Sequence, residues 1–155
     1  MRQIAVLSPF SGRVVPLGQV PDPVFAARML GDGLAVEPSV GVAVAPVDGE
    51  LSVLHAAGHA FAIQANEEVS VLVHIGLDTV RMHGQGFVTL AHAGDRVRVG
   101  QELVRFDLGA IVAAGHSCLS PVILPDLPAQ WRVEPTTLNA VRAGQTILLT
   151  VVTAD

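Results

Sequence analysis

No stretch of this chain keeps the apolar rhythm of a long helix; short Val-rich runs are instead cut off every few residues by glycine or proline. The 15 glycines and ten prolines fall throughout the 155 residues. Between them lie β-branched runs at 12–17, 40–44, 68–73, 102–106 and 146–152. Short runs of this kind, bounded by turn residues, read as strands. The chain is therefore expected to be all-β, a sandwich or barrel of many short strands. One brief helix is expected at 23–30, with Pro23 at its first position and Asp22 as its cap. A second short turn is expected after Asp78.

The chain also repeats itself. Ser8-Pro9-Phe10-Ser11-Gly12 followed by Leu17 matches Ala45-Pro46-Val47-Asp48-Gly49 followed by Leu54, offset by 37 residues. Val97-Arg98-Val99-Gly100-Gln101 followed by Leu103 matches Val141-Arg142-Ala143-Gly144-Gln145 followed by Ile147, offset by 44. Similar offsets in the same order point to two intertwined copies of one β-motif. No low-complexity linker divides the chain, so residues 1–155 are expected to form one domain.

Composition removes several classes of function. All nine cationic side chains are dispersed arginines and the formal net charge is −5, which disfavours nucleic-acid binding. The absence of lysine excludes a Schiff base, a P-loop and a lipoylated or biotinylated carrier. Cys118 is the sole cysteine, so an internal disulfide and an all-cysteine metal site are excluded, and a core position is expected for it. Half of the residues are hydrophobic, yet no apolar run reaches the roughly 18–20 residues of a membrane helix. The first ten residues lack a basic region followed by an apolar one, so no signal peptide is read. A cytoplasmic protein without membrane insertion is expected.

Chemistry is concentrated in the six histidines. His74 ends the apolar run Val71-Leu72-Val73 and is followed by Ile75-Gly76-Leu77-Asp78-Thr79-Val80. A rigid strand holds it at an edge, Gly76 permits close approach, and Asp78 brings a carboxylate near. Neutral imidazole is a good nucleophile near pH 7. A strand histidine also serves commonly as a satisfied structural residue, and this pattern alone does not choose between the two. His59 stands at the edge of Ala60-Phe61-Ala62-Ile63. If the two strands pair, these histidines could form a nucleophile with a charge-neutralising neighbour, or a metal pair.

At these residues the chain resembles the glucose-type IIA components of the bacterial sugar phosphotransferase system. The resemblance runs nearly end to end. It rests on ordered motifs: Ser8-Pro9 with Gly12; Pro21-Asp22 with Val24-Phe25-Ala26; Gly31-Asp32-Gly33; Ala45-Pro46-Val47-Asp48-Gly49; His59-Ala60; Val73 to Val80; Gly84 with Gly86-Phe87; Gly100-Gln101 with Phe106-Asp107-Leu108; and Ser120-Pro121-Val122.

This resemblance implies an antiparallel β-sandwich or barrel built from a duplicated hybrid motif, with short helical turns. It makes His74 the phosphorylated histidine, through Nε2, and His59 the second histidine that assists onward transfer. Asp22 and Asp78 become flanking acidic residues. Val24, Phe25, Leu34 and Val80 become an apolar rim that docks partners. The implied donor is the histidine-containing phosphocarrier protein (HPr), and the implied acceptor is a cysteine of a IIB domain of a sugar permease. No cofactor is expected and no metal is required, although zinc could bind weakly between His59 and His74. Two departures stand out. Family members often carry Thr where this chain has Ala57, and often an aromatic residue where it has His55. The amphipathic N-terminal tail of some members has no counterpart, so tethering by a tail is not expected. His83, His92 and His116 match no functional motif position and are expected to be surface or structural. Two other readings compete. A zinc hydrolase of the same β-motif would use the His74-x3-Asp78 spacing, but it also needs a His-x-His pair that this sequence lacks. A non-catalytic regulator would use the same face to hold partners.

Overall fold

The computed structural model describes residues 1–154, and the valine-rich runs are strands in it. In chain order the first half carries β1 (Arg2–Leu7), β2 (Gly12–Pro16), α1 (Pro23–Ala26), β3 (Asp32–Pro38), β4 (Val42–Val44), β5 (Gly49–Leu54), β6 (Ala60–Gln64) and β7 (Ser70–His74). The second half carries β8 (Phe87–Thr89), β9 (Arg96–Val97), β10 (Glu102–Phe106), α2 (Leu108–Ala113), β11 (Ser120–Leu124), β12 (Trp131–Pro135), β13 (Ala140–Val141) and β14 (Ile147–Thr153). An eight-stranded sheet runs β13-β2-β3-β11-β7-β6-β5-β9, and two three-stranded sheets run β1-β14-β12 and β4-β10-β8. Pairing is antiparallel in each sheet.

The duplication is visible in the hydrogen bonds. Gly100 N–H donates to the Ala45 carbonyl at 2.9 Å, and Gly144 N–H donates to the Ser8 carbonyl at 2.8 Å. Leu7 N–H donates to Pro46 O and Val44 N–H to Pro9 O, both at 2.9 Å. These are the same bonds made by equivalent residues of the two copies, each reaching into the other. The copies meet closely enough that a Cβ on Gly144 would lie 2.9 Å from Gly100 Cα.

Period-two alternation sorts the large sheet into two faces. Leu34, Val122, Val73 and Phe61 align across β3, β11, β7 and β6 and are buried in the main core. The opposite face carries a smaller cluster, in which Ala35, Ile123 and Leu77 lie with Val15, Leu17, Val20 and Phe25. Leu72 packs against that cluster, and His74 follows it two residues on along β7, on the same face. β11 is buried on both faces, as its unbroken Pro-Val-Ile-Leu run suits.

Local chemistry moved several expected boundaries. The strand expected at 68–73 begins at Ser70, because Asn66 Oδ1 accepts from both Glu68 N–H and Val69 N–H at 2.8 Å and makes a turn. The helix expected at 23–30 stops at Ala26: Arg28 adopts a left-handed φ of 57° and its N–H bonds back to Phe25 O. The turn after Asp78 is a 3-10 turn at Thr79–Met82. Helix α2 was not expected; Asp107 caps it by accepting from Ala110 N–H at 3.1 Å.

Candidate functional site: a histidine pair at one end of the large sheet

The backbone places the two histidines side by side. Ala60 of β6 lies opposite His74 of β7, and one step further Ile75 N–H donates to the His59 carbonyl at 2.7 Å. The imidazole centroids are 5.3 Å apart and the rings meet edge to face.

The tautomer of His74 follows from one contact. Its Nδ1 lies 2.6 Å from the Gly76 carbonyl oxygen. A carbonyl can only accept, so in the neutral ring Nδ1 carries the hydrogen and Nε2 keeps the free lone pair. That carbonyl is itself fixed. Gly76 N–H donates to Ser120 Oγ at 3.0 Å, and the Ser120 hydroxyl donates to Cys118 O at 2.9 Å. Thr79 Oγ1 donates to Ile75 O at 2.5 Å. Gly76 has φ 71°, and a Cβ there would lie 2.7 Å from Thr79 Cγ2 and 2.8 Å from Ser117 O. Only glycine fits the turn that aims this carbonyl.

Burial is the largest influence on His74 and pushes its pKa below the ordinary histidine value. The Gly76 carbonyl, Asp22 and Asp78 act against this, while His55 adds to it. His74 is therefore uncharged and nucleophilic at neutral pH. His59 is buried, at 4% exposure, and its Nδ1 is sealed with no hydrogen-bond partner. Burial first, then the His74 and His55 rings, lower its pKa to about 4. A neutral His59 keeps its one proton on Nε2, where it can reach partners, because an unpaired buried N–H is costly.

The remaining expected residues are distributed unevenly. Asp22 caps α1, accepting from Val24 N–H at 3.0 Å. Asp78 is exposed, with a left-handed φ of 58°. Val24 and Val80 are exposed apolar residues at 40% and 48%. Phe25 is buried, with its ring 5.5 Å from His74, so it forms the wall of the site and not a free rim. Leu34 departs furthest from expectation. It is buried in the main core, on the sheet face opposite His74, because strand alternation turns it inward with Val122 and Val73. His83 and His92 are exposed, and His116 is half-buried. Cys118, expected in the core, is half-buried at its edge.

Two supports of the site carry no sequence signal that would assign them. Ser120 was visible only as part of a motif, with no sign that it would hold the Gly76 turn. His55 departs from the family pattern, and its ring lies 4.3 Å from that of His59. Among the described residues, no group of three or more His, Cys, Asp or Glu is arranged to hold a metal ion. Clefts elsewhere are lined by other residues, such as Ser11 and Arg142 in one and Arg28 and Trp131 in another.

A β-sandwich of two intertwined copies, with two histidines paired at the ends of inner strands, defines a class shared with known proteins. Residues 4–128 match the family described as phosphoenolpyruvate-dependent sugar phosphotransferase system, EIIA 1, and the chain belongs to that family. It is 38% identical over 151 residues to a PTS system glucose-specific EIIA component of Oceanobacillus iheyensis, covering 97% of this chain and 92% of that one. A protein of the same description from Staphylococcus aureus is 37% identical over 150 residues, covering 97% and 90%. The solved structure of glucose permease IIA from Mycoplasma capricolum superposes with a TM-score of 0.90, at 35% identity and 96% coverage of both chains.

Proposed function

We propose that this chain is a phosphoryl carrier of the sugar phosphotransferase system: His74 Nε2 accepts phosphate from HPr and passes it to a cysteine of a IIB domain. The observation that carries this reading is the 2.6 Å contact from His74 Nδ1 to the Gly76 carbonyl, which leaves Nε2 unprotonated and free. In the inward step the Nε2 lone pair attacks phosphorus, and the donor's P–N bond breaks with its electron pair returning to the donor imidazole. In the outward step the acceptor thiolate attacks, and the Nε2–P pair returns to His74. Charge spreads over the three equatorial oxygens during each transfer. The Nε2–H of His59 can donate to those oxygens. Residues 1–155 act as one IIA domain in the cytoplasm in this reading, and the transfer uses no cofactor. Incubation with HPr, its phosphoryl donor and a IIB domain tests it. Label should pass through this chain to the IIB thiol, and failure to label His74 would refute it.

Docking is assigned to Val24 and Val80, with Asp22 and Asp78 beside them. Charges at an interface rim act mainly on association rate and are screened by salt. Changing both aspartates to asparagine is a clean test: Asn also caps helices and tolerates left-handed φ. Uptake from HPr should slow about fivefold at low ionic strength, with the gap closing above about 0.5 M salt. Stopped-flow rates across a salt series check this; a salt-independent defect would assign the pair a structural role.

A further inference from the structure

His59 poses a positioning problem. Its Nδ1 is buried with no hydrogen-bond partner, so no polar contact on that side fixes the ring's rotation. Ala57, two residues before it, offers no hydroxyl. What the ring does have is an aromatic neighbour on each side: His74 at 5.3 Å and His55 at 4.3 Å between centroids.

His55 is itself held. Its N–H donates to Ala60 O at 2.9 Å, and its carbonyl accepts from Gly58 N–H at 2.8 Å, closing the turn between β5 and β6. Its Nδ1 accepts from Ala57 N–H at 3.1 Å. An N–H can only donate, so Nδ1 carries the lone pair and the ring plane is set by the backbone. A ring fixed in this way can act as a wall. Because the side chain is exposed while His59 is buried, its removal opens space on that side of His59 and leaves the sheet intact.

We propose that His55 is a positioning residue for transfer: locked by the Ala57 N–H, its ring packs on His59 and holds the plane from which His59 Nε2–H meets the phosphoryl oxygens on His74. The inference rests on the carrier reading and adds a third histidine to it, one that acts through His59. The requirement is for a flat ring, so phenylalanine should serve and alanine should not.

Three measurements on the purified chain test this. In single-turnover transfer, His55→Ala should take up phosphate from HPr within about twofold of wild type but deliver it to the IIB domain about tenfold more slowly. His55→Phe should restore delivery to within about twofold of wild type. Nitrogen-15 spectra of the imidazoles should show one Nε2–H tautomer for His59 in wild type and His55→Phe, and a mixture of tautomers in His55→Ala. The spectra need no phosphate, so they test positioning even if the wild type fails as a carrier. Delivery by His55→Ala at the wild-type rate, equal slowing of uptake and delivery, failure of phenylalanine to rescue, or an unchanged His59 tautomer in His55→Ala would each overturn the proposal.

Discussion

His74→Ala should take up no acid-labile phosphate from HPr and deliver none, an expected loss of more than about 1,000-fold in each half-reaction. The loss is chemical, not structural. His74 is the half-buried last residue of β7, and the strand's core contacts come from Val71 and Val73. Thermal unfolding should therefore shift by only a few degrees, about the effect of ~1 kcal/mol in a chain of this size. The same account fixes the pH dependence of the wild type. Protonation removes the Nε2 lone pair, and partial burial, which penalises the charged ring, holds the His74 pKa below the ordinary histidine value. Uptake should hold its rate at neutral pH and begin to fall only at a lower pH than an ordinary histidine would set. Stoichiometric labelling of the alanine variant would remove His74 from the mechanism.

His59→Gln should separate the two half-reactions. In the proposed division of labour the donor supplies cationic groups for the inward step, so uptake should stay within about threefold of wild type. Delivery should slow about 100-fold, the scale of losing a fixed donor to transition-state oxygens. Glutamine keeps an N–H, but its amide lacks the shape held between His55 and His74. A second readout is independent of partners. In the folded chain His59 stays neutral down to about pH 4, whereas in the unfolded chain it binds a proton near 6.5. Between these values the unfolded state holds more protons, so stability falls as pH drops from 6.5 to 4. His59→Gln lacks that contribution. Its urea midpoint should change less between pH 7 and pH 5 than the wild type's. Equal slowing of uptake and delivery would end the proposed division of labour.

What the sequence revealed, and what it hid, follows from how local each cause is. Strands and turns are legible because valine runs and glycines act where they stand. The duplication is legible because Ser8-Pro9 and Ala45-Pro46 keep the same chemistry, and the structure gives them the same hydrogen bonds. The adjacency of His59 and His74 could be read only through resemblance, since spacing does not reveal which strands pair. The 2.6 Å contact to Gly76 O depends on the φ of one glycine and on a hydroxyl 44 residues away in Ser120. No periodicity carries that information. Leu34 shows the opposite failure. The resemblance implies a rim position for it, but strand alternation turns it into the core, where Val73 and Val122 already stand.

The account turns on one nitrogen. Phosphorylate the nitrogen-15-labelled chain with HPr and its donor, and record coupling between phosphorus and the ring nitrogens of each histidine. The account predicts one phosphorylated residue, His74, with phosphorus bonded to Nε2 and with Nδ1 still protonated against the Gly76 carbonyl. Phosphorus on Nδ1 of His74, or on any other histidine, would contradict it.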